Sequence, residues 1–197
     1  MRGPRLLLQI VLSIVALVVW IVVTGDGALD TTSSSIIRWT ARTSLVMFAC
    51  AYVARPALQL WRTPWTRYLM AERKWIGLGF AASHAAHLGG IVALASPDVG
   101  AFVRARSPTT LVAALTFVVL FAMAVTSIDR VRKAMPGRAW KLLHRTGMHL
   151  SWLSFTTTYA AATAGSPGYA VPSALLVAIA GIRIAAWVRA RRSRPPA

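Results

Sequence analysis

Acidic residues are scarce in this chain, which has 5 Asp and Glu residues against 22 Lys and Arg residues. Residues of either charge make up only 14% of the sequence, whereas 56% is hydrophobic. So few charges cannot solvate the surface of an ordinary globular domain, and so many apolar side chains need lipid around them. The composition therefore predicts an integral membrane protein rather than a soluble domain.

Cysteine is nearly absent as well, since Cys50 is the single one and lies within an apolar run. One cysteine excludes a disulfide framework within the chain and a CxxC metal site. No Gly-rich phosphate loop of a recognised spacing is present, and a Ser or Cys triad would lack a buried carboxylate partner. The common signatures of nucleotide-binding and hydrolytic enzymes are therefore missing.

Six apolar runs predict transmembrane helices. The first has no charged residue between positions 6 and 24, and about 20 apolar residues cross a hydrocarbon core of about 30 Å. A cleaved signal peptide is the alternative for this run, but its apolar stretch exceeds the usual length of about 7–15 residues. We predict one transmembrane domain over residues 1–197, an all-α six-helix bundle with a basic tail at 189–197 and helices at about 6–24, 44–60, 75–95, 110–128, 142–164 and 171–188.

The second apolar run is interrupted by Arg55 and Pro56. An arginine at the centre of a bilayer is costly, and a proline removes a hydrogen bond from the helix. We therefore expect the second span to reach the membrane surface near this dipeptide.

The distribution of Lys and Arg predicts the orientation. Seventeen of them lie in four segments, namely before the first span, at 55–74, at 130–145 and from 189 onward, whereas the other loops hold four. Basic residues stay on the cytoplasmic side, so both termini are predicted to be cytoplasmic. Because the charges separate apolar runs and do not line amphipathic elements, we expect anionic lipid as their partner and no nucleic acid.

The four histidines of the chain all fall in predicted spans: His84 and His87 in the third, His144 and His149 in the fifth. Ionisable groups inside membranes are rare and often functional, and imidazole is an axial ligand of b-type haem. His84 and His87 share a helix face, whereas His144 and His149, five residues apart, diverge by about 140°. Structural interhelical hydrogen bonds are the alternative role.

A non-haem di-metal centre is a further interpretation of these histidines. Such a centre needs several hard ligands, and the acids near these spans are Glu72 and Asp129, both close to the predicted cytoplasmic surface. The sequence disfavours this interpretation.

The sequence RKWIGLGFAASHAAH at 73–87, paired with WKLLHR at 140–145, resembles the ferric-reductase-like transmembrane family. That family includes the haem-binding membrane subunit of the methionine sulfoxide reductase system and the membrane core of NADPH oxidases. RTSLVMF at 42–48 and TSID at 126–129 support the resemblance. It covers roughly residues 38–159.

The resemblance implies two stacked b-type haems held between the third and fifth helices. It places Arg73 at the inner position and His87 at the outer position of the third helix, and His144 at the inner position of the fifth. Thr157 stands where the outer partner of His87 is expected. At 1.5 Å per residue, His87 and His144 differ in depth by about 20 Å and cannot share one iron.

Three outcomes stay open from the sequence. Haem binds to one strong histidine with a weak or open second position, a shift of the fifth helix brings His149 to His84 or His87, or haem is lost. The predicted axial ligands are His87 and His144, with His84 and His149 as substitutes and Arg73 beside an inner haem.

The function predicted from the resemblance is transmembrane electron transfer through one or two b-type haems, in a membrane component of an oxidoreductase. The chain ends at residue 197 without a flavin domain, so we expect a separate flavoprotein or quinone as electron donor and an acceptor on the outer face. The expected location is a bacterial plasma (inner) membrane. The alternative function is a haem-free scaffold or accessory subunit of the same fold.

Overall fold

The computed structural model describes residues 3–104 and 109–193. Within these ranges the chain is helical and has no β-strand, which confirms the predicted all-α class. The elements, in chain order, are α1 (Gly3–Thr24), α2 (Leu29–Leu60), α3 (Pro64–Ala95), α4 (Val99–Arg104), α5 (Thr109–Val125), α6 (Asp129–Ala134), α7 (Gly137–Gly165), a short 3₁₀ helix (Pro167–Tyr169) and α8 (Ala170–Arg192).

Four segments in the described part of the chain are long and apolar enough to cross a membrane. They are α1, α2, α3 and Pro167–Arg192, which joins the 3₁₀ helix to α8. The apolar part of α5, Val112–Val125, is shorter than a typical span. Helix α7 carries charged residues in its first half and Ser, Thr and Tyr residues in its second. The structure thus supports a multi-pass membrane protein, with four candidate spans where the sequence predicts six.

Helices α2 and α3 begin well before the apolar runs that predict them. Helix α2 begins at Leu29 rather than near residue 44, and α3 begins at Pro64 rather than near residue 75. The start of α3 is capped, because the Thr63 hydroxyl accepts from the Thr66 N–H at 3.2 Å and the Thr63 N–H donates to the Thr66 hydroxyl at 3.1 Å. An apolar run predicts only the part of a helix that lies in the hydrocarbon core. The helix itself continues beyond that part for as long as its backbone hydrogen bonds are made.

Helix α2 does not end at Arg55 and Pro56. It continues to Leu60, where the Trp61 N–H donates to the Ala57 carbonyl at 2.7 Å. Pro56 is buried and Arg55 is exposed. Packing of neighbouring helices tolerates a proline inside a membrane helix, so this dipeptide marks no break in the structure.

An aromatic cluster joins three helices at the centre of the fold. Phe48 of α2, Phe80 of α3 and Phe155 of α7 are each at most 7% exposed. Their ring centroids are 5.3–5.9 Å apart, within the favourable range for aromatic pairs. Helices α2 and α3 form the most extensive helix pair in the described structure, whereas α3 and α7 meet mainly through such side chains.

Gly147 allows α7 to approach α5 closely. A Cβ atom at this position would lie 2.1 Å from Met123 Sδ and 2.9 Å from Val119 Cγ1. Small residues at such crossings permit the van der Waals packing that holds membrane helices together.

We predict that Gly147→Val destabilises the α5–α7 pair by about 1–3 kcal/mol, the usual cost of overpacking. Gly181→Val is the matched control, because a Cβ atom at Gly181 meets nothing within 4 Å. Thermal unfolding of both variants in detergent, followed by circular dichroism, measures the difference. Equal stability of the two variants would contradict the role assigned to Gly147.

Candidate functional site

The four histidines lie in three different surroundings. His84 and His87 lie on α3 next to each other, with ring centroids 5.3 Å apart and an interplanar angle of 22°. His144 and His149, both on α7, contact different neighbours. In the part of the chain that the structure describes, His84 and His87 are the one pair of histidines whose rings are in contact.

His87 is oriented by the backbone of α2. Its Nδ1 atom lies 2.9 Å from the Ile37 carbonyl oxygen and 3.3 Å from Thr40 Oγ1. A carbonyl oxygen only accepts hydrogen bonds, so Nδ1 carries the proton and Nε2 keeps its lone pair. A metal-ligating histidine is commonly held in this way. Nε2 of His87 could therefore accept a hydrogen bond or bind a metal ion.

His84 is buried in an aromatic cage. Its ring contacts Phe80, Phe117 and Phe155, with centroid distances of 5.1, 4.8 and 5.7 Å. Its Nδ1 atom is buried and has no hydrogen-bond partner. A buried polar atom without a partner is costly and therefore a candidate ligand position.

A network of hydroxyl groups holds α3 against α2 beside these histidines. Ser83 Oγ donates to the Thr40 carbonyl at 3.1 Å and lies 2.9 Å from Ser44 Oγ and 2.7 Å from Thr43 Oγ1. Sequence reasoning missed these four residues. The signal was present, since Thr40, Thr43 and Ser44 are small polar residues at helical spacing that share a face of α2.

His144 lies against α5 and the start of α7. Its Nε2 atom is 3.2 Å from Thr126 Oγ1, whose proton is donated to the Ala122 carbonyl at 2.7 Å. The imidazole Nε2–H is therefore the donor to Thr126. The Trp140 ring stacks 4.2 Å from the imidazole and donates from Nε1 to the Thr126 carbonyl at 3.1 Å. Ligation of an iron through Nε2 would replace the contact with Thr126.

His149 does not meet His84 or His87. Its Nδ1 atom lies 3.3 Å from the Tyr52 hydroxyl, and Nε2 lies 3.5 Å from Arg183 Nη2. Because the guanidinium can only donate, Nε2 accepts and Nδ1 carries the proton. Sequence reasoning missed Tyr52 and Arg183 as neighbours, although a lone arginine in the apolar sequence of α8 was a visible signal.

Arg73 and Thr157 complete the set of residues that the sequence predicts. Arg73 Nε donates to the Ala51 carbonyl at 2.9 Å, and its positive charge acts on His144. Thr157 is exposed, and its hydroxyl donates to the Leu153 carbonyl of its own helix at 3.0 Å. Thr157 therefore makes no contact with His87.

One ion pair lies beside the inner histidine region. Lys74 Nζ is 2.6 Å from Asp129 Oδ1 and joins α3 to the exposed start of α6. The hydrogen bond and charge of Lys74 lower the pKa of Asp129, so the carboxylate stays ionised until the pH falls below its ordinary range. This ion pair connects α3 to α6, where the basic segment at 130–145 begins.

The residues present fit a haem that is held by a single histidine, either His87 or His144. His84 and His87 cannot occupy opposite axial positions on one iron, because both rings come from the same helix face and stack on each other. Opposite them α7 presents Phe155 and α5 presents Phe117. Among the described residues, no group of three or more His, Cys, Asp or Glu side chains could hold a bare metal ion.

We predict that Ser83→Ala lowers the free energy of unfolding by about 0.6 kcal/mol and by no more than about 1.7 kcal/mol, as for other interhelical hydrogen bonds in membranes. Ser96→Ala is the control, because Ser96 follows the end of α3 and its exposed hydroxyl donates to the Ala93 carbonyl of that helix, not to another helix. Denaturant unfolding in micelles compares the two variants. A loss in Ser83→Ala no larger than in Ser96→Ala would refute the interhelical role of the network.

Comparison with known proteins addresses the family of the chain. The family model described as "Ferric reductase like transmembrane component" matches residues 38–155. Neither curated proteins nor solved structures gave a match. The matched segment runs from α2 to α7 and contains all four histidines and the hydroxyl network, whereas Thr157 and Arg183 lie outside it. Because this segment is more than half of the chain, the protein belongs to the family of ferric-reductase-like transmembrane components.

Proposed function

We propose that this chain transfers electrons across a membrane through b-type haem, as the membrane component of an oxidoreductase. The observation that carries this proposal is the hydrogen bond from His87 Nδ1 to the Ile37 carbonyl. It leaves Nε2 of a membrane-embedded imidazole without a proton, which is the state that an iron ligand requires. Membership of the ferric-reductase-like family gives the proposal its chemical context.

The outer haem position is assigned to His87, with His84 as its neighbour on the same helix face. Haem supplies a one-electron carrier when bound. The chain would supply the axial nitrogen of His87, beside which the rings of Phe80, Phe117 and Phe155 surround His84. Thr40 holds the His87 ring in one orientation.

The inner haem position is assigned to His144, with Arg73 nearby and His149 as the substitute ligand. Binding of an iron through Nε2 of His144 would replace its contact with the Thr126 hydroxyl, while Trp140 covers one face of the imidazole ring. One haem at His87 and a second at His144 would lie at two depths in the bilayer, so that an electron could pass from one haem to the other across the membrane.

The proposed topology has six spans, with α5 and α7 as the fourth and fifth, and both termini in the cytoplasm. The excess of Lys and Arg in alternate connections supports this orientation. Helix α7 packs against α5 and α8, so the polar residues of α7 have protein neighbours. We propose a bacterial plasma membrane as the location, a separate flavoprotein or quinone as electron donor, and an acceptor on the outer face.

A haem-free scaffold or accessory subunit is the second candidate. One observation favours it: the Nε2 atoms of His144 and His149 both have hydrogen-bond partners within the protein. The side chain of Thr157, in the position expected for an outer ligand, bonds only to its own helix. Spectroscopy of the purified chain separates the two candidates.

We predict that the full chain, expressed with ample haem, shows a Soret band that shifts and sharpens on reduction with dithionite. His87→Ala and His144→Ala are expected to lose most of the haem at their level, because each removes an axial nitrogen. His149→Ala is the matched control and is expected to retain more. The measured quantity is haem per protein from a pyridine haemochrome assay. Equal retention in the three variants would contradict the ligand assignment, and a wild-type protein without a Soret band would leave only the scaffold candidate.

We also predict that free imidazole binds to the oxidised protein. Among the described residues, the ring of α5 or α7 that contacts His87 is Phe117 and not an imidazole, so a haem held by His87 would lack a second histidine ligand. Titration with imidazole is expected to convert a five-coordinate spectrum into a six-coordinate one, in the wild type and equally in His149→Ala. A wild-type spectrum that is six-coordinate from the start and does not respond would show that the protein supplies both ligands.

A further inference from the structure

Arg183 is the one charged residue in the apolar sequence of α8 between Ala170 and Trp187. Its side chain is directed towards α2 and α7, where Nη1 donates to the Tyr52 carbonyl at 3.2 Å and Nη2 lies 3.5 Å from His149 Nε2. The guanidinium carbon lies 4.3 Å from the centre of the Tyr52 ring. These contacts hold the side chain in place but bring no negative charge to it.

A second arginine, from a different helix, contacts the same turn of α2. Arg73 of α3 donates to the Ala51 carbonyl at 2.9 Å, so consecutive carbonyls of α2 accept hydrogen bonds from arginines of two different helices. Arg55 lies one turn further along α2. Because the two acceptor carbonyls are consecutive, the guanidinium groups of Arg73 and Arg183 are held near each other.

No carboxylate of the described residues neutralises this group. The one ion pair that these residues form joins Lys74 to Asp129. Glu72 is adjacent to Arg73 in sequence, yet its Oε2 atom is buried without a hydrogen-bond partner. Two guanidinium groups that are bound to consecutive carbonyls of a membrane helix repel each other, and a bound anion would relieve this repulsion.

We propose that Arg73 and Arg183, with Arg55 at the rim, form an oxyanion-binding site in the inner half of the bundle. The planar guanidinium has several N–H donors, of which the α2 carbonyls occupy one on each arginine, and it binds carboxylate or phosphate oxygens in pairs. The Tyr52 hydroxyl accepts a hydrogen bond from His149 Nδ1, so its own O–H can donate a hydrogen bond to the same anion. Arg183 lies outside the segment matched by the family model, whereas Arg73 lies within it.

Two sources can supply such an oxyanion. One is a propionate group of a haem on His144, and this source rests on the proposed function. The other is the phosphate of an anionic phospholipid in the cytoplasmic leaflet, which basic pockets between membrane helices bind. The second source requires no haem.

The test compares wild-type full chain with Arg183→Gln and with Arg189→Gln as the matched control. Arg189 also lies on α8 and also donates to an α2 carbonyl, that of Leu60 at 3.2 Å, but nearer the end of the helix. The lipid arm uses haem-depleted protein and measures its melting temperature in phosphatidylcholine nanodiscs with and without phosphatidylglycerol. The haem arm uses haem-loaded protein and measures the rate of haem transfer to apomyoglobin.

We expect Arg183→Gln to weaken one of these interactions by about tenfold, the effect of losing a charge-assisted hydrogen bond, and Arg189→Gln to leave both unchanged. Loss of the phosphatidylglycerol stabilisation in Arg183→Gln assigns the site to lipid phosphate. Faster haem loss without a change in the lipid arm assigns it to a propionate. Unchanged behaviour in both arms overturns the proposal.

Arg183→Lys keeps the test decisive if Arg183→Gln does not insert or fold. Lysine retains the charge but lacks the paired donors, so binding weaker than in the wild type is expected in the affected arm. Binding equal to that of the wild type overturns the proposal. A wild-type protein without haem would refute the proposed electron transfer, while a lipid effect in the haem-depleted protein would still support the oxyanion site.

Discussion

Polar side chains inside a bilayer have no water to bind, so each of them has to find a hydrogen-bond partner within the protein. In this protein α2 is the helix that supplies most of those partners. Each of its carbonyl oxygens has a second lone pair beyond its bond within the helix. Side chains of α3 and α8 use this capacity at five positions along α2, namely Ile37, Thr40, Ala51, Tyr52 and Leu60.

This arrangement decides which histidines are available for a cofactor. His87 donates to α2 through Nδ1 and so presents Nε2. His149 is engaged through both nitrogens, with Tyr52 and Arg183. The contacts between α3 and α7 are made by rings, chiefly Phe80 with Phe155, and not by close backbone packing. The space between the two histidine-bearing helices is thus defined by side chains that can move apart more easily than packed backbones.

The positions of the basic side chains follow from the same lack of water inside the bilayer. The chain has a net charge of +17, and most of its basic residues lie in the segments between apolar runs, where water and lipid headgroups solvate them. Arg73 and Arg183 donate to consecutive carbonyls of α2. Carbonyl groups satisfy the donors of a guanidinium but do not cancel its charge. The region around Arg73 and Arg183 therefore keeps its positive charge among the described residues, whereas aromatic rings and hydroxyl groups surround His84 and His87.

The sequence by itself determined the lipid environment, the all-α class, the placement of His84 and His87 on one helix face and the family. These properties depend on composition, on local periodicity and on residues close together in the chain. Tertiary structure alone decided that Ser83 joins α2, that His149 contacts Tyr52 rather than His84, and that Arg183 turns inward. Helical periodicity fixes which residues share a face, but the rotation and distance of one helix against another follow from packing at positions such as Gly147 and Phe155. For that reason the candidate ligands could be read from the chain, whereas their partners and free nitrogens could not.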